Sequence, residues 1–112
     1  MDAYEYGELL KSLTTKMENI TNIVKPDDIN GRLKEIEELQ QNPDFWTDNE
    51  LAAKVAQEKT RHDRTLERYT QAKDAIDEAN EYFDLAKSES DDETLEMLYE
   101  DAASLTEHIQ QL

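Results

Sequence analysis

The chain has no cysteine. A disulfide framework, a thiolate nucleophile and a cysteine-based metal site are therefore excluded. Glycine and proline occur twice each. That is too few for a turn-rich β fold, and it favours long helices. Aromatic residues are 7% and hydrophobic residues 37% of the 112 positions, so a single domain of this size has a thin core. No apolar run approaches the roughly 20 residues of a membrane span. The opening MDAYEYGELL has neither the basic stretch nor the apolar core of a signal peptide, and the sequence reads as cytoplasmic. Positive charge is also scarce: 12 Lys and Arg face 28 Asp and Glu, for a net charge of −16. A surface that acidic repels phosphate backbones and anionic membranes. No direct nucleic-acid binding by this domain and no membrane association are expected.

High charge with low hydrophobicity is also the signature of disorder, but the apolar residues that are present fall in helical register. Tyr6, Leu10, Leu13, Met17, Ile20 and Val24 keep one stripe. Lys25-Pro26 interrupts it, because proline disfavours helix at the residue before it. Asp27 or Asp28 can then cap a second helix carrying Ile29, Leu33, Ile36 and Leu39, which fades at Gln41-Asn42-Pro43. A third stripe runs Leu51, Val55, Lys59, His62, Leu66, Tyr69, Lys73, Ile76, Asn80 and Phe83, flanked by Ala52, Ala56, Ala72, Ala79 and Ala86. A helix of that extent is about 60 Å long, longer than its partners, with one end packed and the other thinly covered. Ser90-Asp91-Asp92-Glu93 reads as a capping box opening a return helix with Leu95, Leu98, Ala102, Leu105, Ile109 and Leu112. The short link implies an antiparallel hairpin. The expected architecture is all-α, an elongated antiparallel bundle of four helices at about 4–24, 27–41, 48–88 and 91–112 with one long central helix. Leu112 sits on the apolar stripe with no cap, as in a fragment of a longer chain.

The stretch NPDFWTDNELAAKV holds the only Trp and one of two Phe. Thr47-Asp48-Asn49-Glu50 reads as a T-x-x-E capping box with Thr47 as N-cap. Trp46 would then staple onto Leu51 and be at least half buried, while Phe45 points back to the second helix. The alternative is an exposed aromatic anchor for a partner, for which Phe45 is the better placed.

Chemistry is hard to find. His62 and His108 have no second histidine or carboxylate set at ligand spacing, and each reads as a partly buried or solvated side chain. There is no H-E-x-x-H, Gly-rich phosphate loop or G-x-S-x-G. Glu37-Glu38 and Asp91-Asp92 are adjacent in sequence and point to different sides. Asn19-Ile20-Thr21 matches a glycosylation sequon but lies within a helix. No catalytic, cofactor-binding or metal-binding residue is assigned, and the domain is expected not to be an enzyme.

The order LKEIEELQQNPDFWTDNELAAKVAQEKTRHDR, then YFDLAKSESDDETLEML, resembles the N-terminal helical domain of the bacterial peptide chain release factor 2 family. Leu33, Glu35, Leu39, Pro43, Asp44, Phe45 and Trp46 carry the first block. Leu85, Ala86, Glu89, Asp91, Asp92 and Glu93 carry the second, over about residues 25–112. The resemblance implies a protein that, when whole, decodes UAA and UGA on the ribosome and triggers hydrolysis of peptidyl-tRNA. It uses an S-P-F tripeptide and a G-G-Q loop in later domains; neither is in this sequence, so no such role is carried to any residue here. It also implies a peripheral module near the large-subunit factor-binding region, touching a partner GTPase and a glutamine methyltransferase. A free-standing helical scaffold, such as a spectrin-like or coiled-coil adaptor repeat, explains the helices equally well. Polar Lys59, His62, Lys73 and Asn80 on the long stripe make a poor homodimeric coiled coil, so a monomer is expected, with Tyr82 and Phe83 covered mainly by the fourth helix near Leu95 and Leu98.

Overall fold

A computed structural model describes residues 1–112. It contains α1 (Ala3–Val24), α2 (Pro26–Gln40), a 3₁₀ turn (Pro43–Thr47), α3 (Asn49–Ser88), α4 (Asp92–Glu100) and α5 (Ala102–Gln110). The molecule measures 62 × 21 × 20 Å, its length set by the 40 residues of α3. It is an elongated all-α bundle of four helical arms. The fourth arm is kinked at Asp101, where α4 gives way to α5, a break that no glycine or proline marks.

The arms run antiparallel to α3. Tyr6 meets Phe83 edge-on with ring centroids 5.0 Å apart. Asn80 Nδ2 donates to Thr14 Oγ1 at 3.3 Å, and the Thr21 and Tyr69 hydroxyls share a hydrogen bond of 2.8 Å. Continuing in the same direction, α2 reaches Glu58 through Arg32. So α1 and α2 follow each other along the length of α3. Their joint is Lys25, at φ 54° in the left-handed region. Pro26 keeps Lys25 out of the right-handed helical region and itself opens α2 at the first position, where its missing N–H costs nothing. The expected cap at Asp27 or Asp28 is therefore displaced. Those two acids lie in the first turn, favourably placed at the positive end of the helix dipole.

Two separate cores result. At one end α1, α4 and α5 enclose the C-terminal half of α3 around eleven buried residues, including Leu10, Leu13, Met17, Ile76 and Leu105. At the other end α2 and the 3₁₀ turn cover α3 with only Ile36, Phe45 and Val55. This is the thinly covered end that the long helix implied. The seam on α3 differs from the expected stripe. From Tyr69 onward it runs Tyr69, Ala72, Ile76, Ala79, Phe83 and Ala86, so alanines read as flanking are core. A three-helix end has a two-sided interior, and small residues let the kinked α4–α5 arm approach α3 closely. Lys59 and Lys73 lie outside the seam and pair with Asp63 at 2.7 Å and Asp77 at 2.9 Å. Phe83 is covered by α1, through Tyr6 and Gly7, as well as by the return arm, and Tyr82 is half exposed. To the cover expected mainly from the fourth helix, α1 thus adds a share of its own.

Both capping boxes shift by one residue. The 3₁₀ turn absorbs Thr47, whose hydroxyl donates to the Asp44 carbonyl, and the Asp48 carboxylate caps α3 by accepting the Leu51 N–H at 3.0 Å. At the other corner α3 ends in a Schellman motif. The Asp91 N–H reaches the Ala86 carbonyl and the Ser90 N–H the Lys87 carbonyl, with Ser90 at φ 53°. Asp91, not Ser90, then caps α4. Its carboxylate accepts the Thr94 hydroxyl at 2.7 Å and the Thr94 N–H at 3.0 Å, and these bonds hold its pKa below the ordinary value. An aspartate that can bond the third amide ahead competes well with a preceding Ser or Thr.

Candidate interaction surfaces

With the cap at Asp48, Trp46 and Leu51 no longer stand in the staple positions. Trp46 is 54% exposed and Leu51 is exposed beside it, so the expected burial of Trp46 is overturned. Instead its indole N–H donates to the Gln40 carbonyl at 2.9 Å, which ties the turn to the last residue of α2. Phe45 takes the interior place, as the reading that turned it toward the second helix expects, and the Trp46 ring stands on it edge-on at 5.0 Å. The exposed aromatic of this corner is thus Trp46, with Leu39 and Leu51 also exposed at the same end of the molecule. The indole N–H needed a partner, and a free carbonyl at the end of α2 supplied one. The sequence offers no signal for that contact.

Between the two cores sits a polar clamp. Arg32 Nε and Nη2 donate to Glu58 Oε2 and Oε1 at 2.6 and 2.8 Å, a bidentate pair, and Nη1 reaches Glu35 at 3.1 Å. His62 Nε2 lies 3.1 Å from Glu58 Oε2. The Arg32 hydrogen bond, followed by that of His62, holds the Glu58 carboxyl down at about 2. The Arg32 guanidinium is in turn held above its ordinary value, first by Glu58 and then by Glu35. The clamp fixes α2 against α3 where few apolar contacts do so. Each of its charged groups meets a partner within the protein.

His108 lies elsewhere, in an open groove of about 310 Å³ between α3 and α5, with Tyr82, Leu98, Asp101 and Ser104. Tyr6 forms the floor. Burial, then the Asp101 carboxylate, raises its pKa. His62 and His108 are not brought together, and no group of three His, Asp or Glu side chains converges at metal-ligand spacing. No helix is long and apolar enough to cross a membrane. A further surface was invisible in the net charge. Residues 54–73 carry six of the 12 Lys and Arg but only three of the 28 acids. Arg61, Arg64 and Arg68 lie there on the exposed side of α3.

Comparison with known proteins bears on these surfaces. The PCRF domain family matches residues 29–112. Peptide chain release factor 2 of Sulfurovum sp. is 64% identical over 107 residues, covering 96% of this chain and 29% of that protein. Peptide chain release factor 2 of Campylobacter concisus is 53% identical over 109 residues, 97% of this chain and 30% of the relative. That of Nitratiruptor sp. is 48% identical over 112 residues, 100% of this chain and 30% of the relative. The similarity takes in α1, which precedes the family match. The chain spans about 30% of the length of these curated relatives.

Proposed function

The chain belongs to the PCRF domain family and is similar throughout to peptide chain release factor 2, and from that premise we propose that it is the N-terminal helical module of a translation termination factor. The whole protein directs peptide release on the ribosome at UAA and UGA, in the cytoplasm. This module contributes no catalytic group. It is a monomeric peripheral domain that positions the factor at the large-subunit factor-binding region and offers surface to a partner GTPase and a glutamine methyltransferase. The single observation that carries the reading is the alignment: 64% identity over 96% of the chain against only 29% of the relative. The architecture agrees with it. The bidentate Arg32–Glu58 clamp, the hydroxyl and amide bonds of Thr94 to Asp91, and the lysine pairs all serve the fold. The family match favours this reading over a free-standing helical scaffold.

The test is peptide release from ribosomes stalled at each stop codon. A full-length factor carrying this module releases peptide at UAA and UGA and not at UAG, while the 112-residue chain alone releases none. Stop-codon-dependent release by the isolated chain, or failure of the full-length factor at UGA, would overturn the proposal.

A further inference from the structure

Four of the 12 basic side chains, Lys11, Arg32, Lys59 and Lys73, make an ion pair. Arg61, Arg64 and Arg68 make none, and neither do Lys16, Lys25, Lys34, Lys54 and Lys87; what sets the three arginines apart is that they stand together on one helix. Even Glu67, adjacent to Arg68 in sequence, pairs with none of them. The three arginines fall at steps of three and four residues on α3, so they form one row about 10 Å long. All three are exposed, as are Lys54 and Gln57, which prolong the row by two turns.

The position of the row follows from the bundle. Arg61, Arg68, Ala75 and Tyr82 recur at seven-residue steps and therefore share one face of α3. Further along, α5 lies over that face, where Ala75 and Tyr82 line its groove. Toward the N-terminal end of α3 the same face is exposed in this chain, and there it changes from alanine and tyrosine to arginine. A shallow depression on it is lined by Ala56, Gln57, Thr60, Arg61 and Arg64 and holds no large apolar side chain.

That composition discriminates between occupants. A protein helix completing the bundle would have to bury an apolar seam, and protein interfaces centre on aromatic and aliphatic anchors. Here there are none. Surfaces for nucleic acid are polar and cationic, and arginine matches phosphate oxygens bidentately. Within residues 54–73 six bases outnumber three acids, and of those acids Glu58 is tied to Arg32 and Asp63 to Lys59, so the row keeps a local positive excess. The acids at the α3–α4 corner lie about 36 Å along the helix from Arg64, several times the screening length of about 8 Å. We infer that the Arg61–Arg64–Arg68 face of α3 docks on the phosphate backbone of RNA. The inference rests on the termination-factor reading, which makes that RNA ribosomal, and it departs locally from the expectation drawn from net charge.

The experiment uses the full-length factor with Arg61→Gln, Arg64→Gln and Arg68→Gln combined. Its affinity for stop-codon ribosome complexes is measured across a salt series, beside the unaltered factor and a Lys16→Gln control on α1. Losing about three phosphate contacts weakens binding roughly tenfold or more and lowers the slope of log affinity against log salt by roughly two. The Lys16→Gln control leaves the slope unchanged. A photo-crosslinking side chain replacing Thr60 captures ribosomal RNA. An unchanged affinity and slope overturn the inference, as does capture of a ribosomal protein alone, which would identify an acidic protein as the occupant. If the unaltered factor does not bind these ribosomes, the termination-factor reading falls first.

Discussion

Replacing Phe45 with alanine tests the division into two cores. Phe45 is 6% exposed and packs with Ile36 and Val55, and these three are all the buried residues of that end. Burying an apolar side chain of this kind contributes about 1.5–3 kcal/mol, so the small core supplies about 5–9 kcal/mol, an upper bound because the unfolded chain already hides some surface. Phe→Ala in a core costs about 3–5 kcal/mol, about a third or more of that total. The eleven-residue core at the other end makes no contact with Phe45 that would transmit the loss. The consequence is local opening: α2, the 3₁₀ turn and the first turns of α3 detach while α1, α4 and α5 stay folded on the rest. Amide hydrogen exchange reads this directly. In Phe45→Ala, amides of Ile29–Gln40 and of the first turns of α3 lose protection by two or more orders of magnitude, while those around Ile76 keep theirs. Trp46 emission shifts to the red as its ring loses its edge contact with Phe45. Equal loss of protection at both ends would refute the reasoning. It would mean that α3 couples the two cores into one cooperative unit.

Asp48→Ala lowers stability by about 1 kcal/mol and Thr47→Ala by less in thermal melts, because the cap bond to Leu51 comes from Asp48; the reverse order would restore the T-x-x-E frame. Gly31→Ala raises the melting temperature, since its added Cβ meets nothing within 4 Å and alanine is better in a helix by about 0.5–1 kcal/mol. Ser90→Gly does the same by relieving the left-handed backbone at φ 53°, and a fall in either melt contradicts the assignment of these positions. The Glu58 carboxyl titrates at about 2 in the folded protein against an ordinary 4.5, so its stabilising contribution is complete above pH 4.5 and is lost as pH falls toward 2. Arg32→Gln therefore flattens the melting temperature against pH in that window relative to the unaltered protein, and parallel curves would show that the clamp does not hold α2.

Helices were legible because burial on one side of a helix leaves a period, and Tyr6, Leu10, Leu13 and Met17 keep it and are buried. The seam of α3 was harder to read. Ala72 and Ala79 carry so little apolar weight that a pattern search prefers Lys73 and Asn80 in the neighbouring register, and only the approach of the α4–α5 arm decides between them. Cap frames slipped by one residue at Thr47 and Ser90 because each is followed by an aspartate able to make the same bond. The exposure of Trp46 depends on a carbonyl six residues earlier in the chain, which no local motif encodes. The arginine face was hidden by averaging, since a net charge of −16 says nothing of where the 12 basic residues stand.

The central claim is that this module places a termination factor and takes no part in its chemistry. The most direct measurement compares peptide release by the full-length factor with that of the same factor lacking residues 1–112, over a range of factor concentrations. The account predicts that the saturating rate is retained while the half-saturating concentration rises. A saturating rate that collapses on removal of the module, with binding to the ribosome intact, would contradict it.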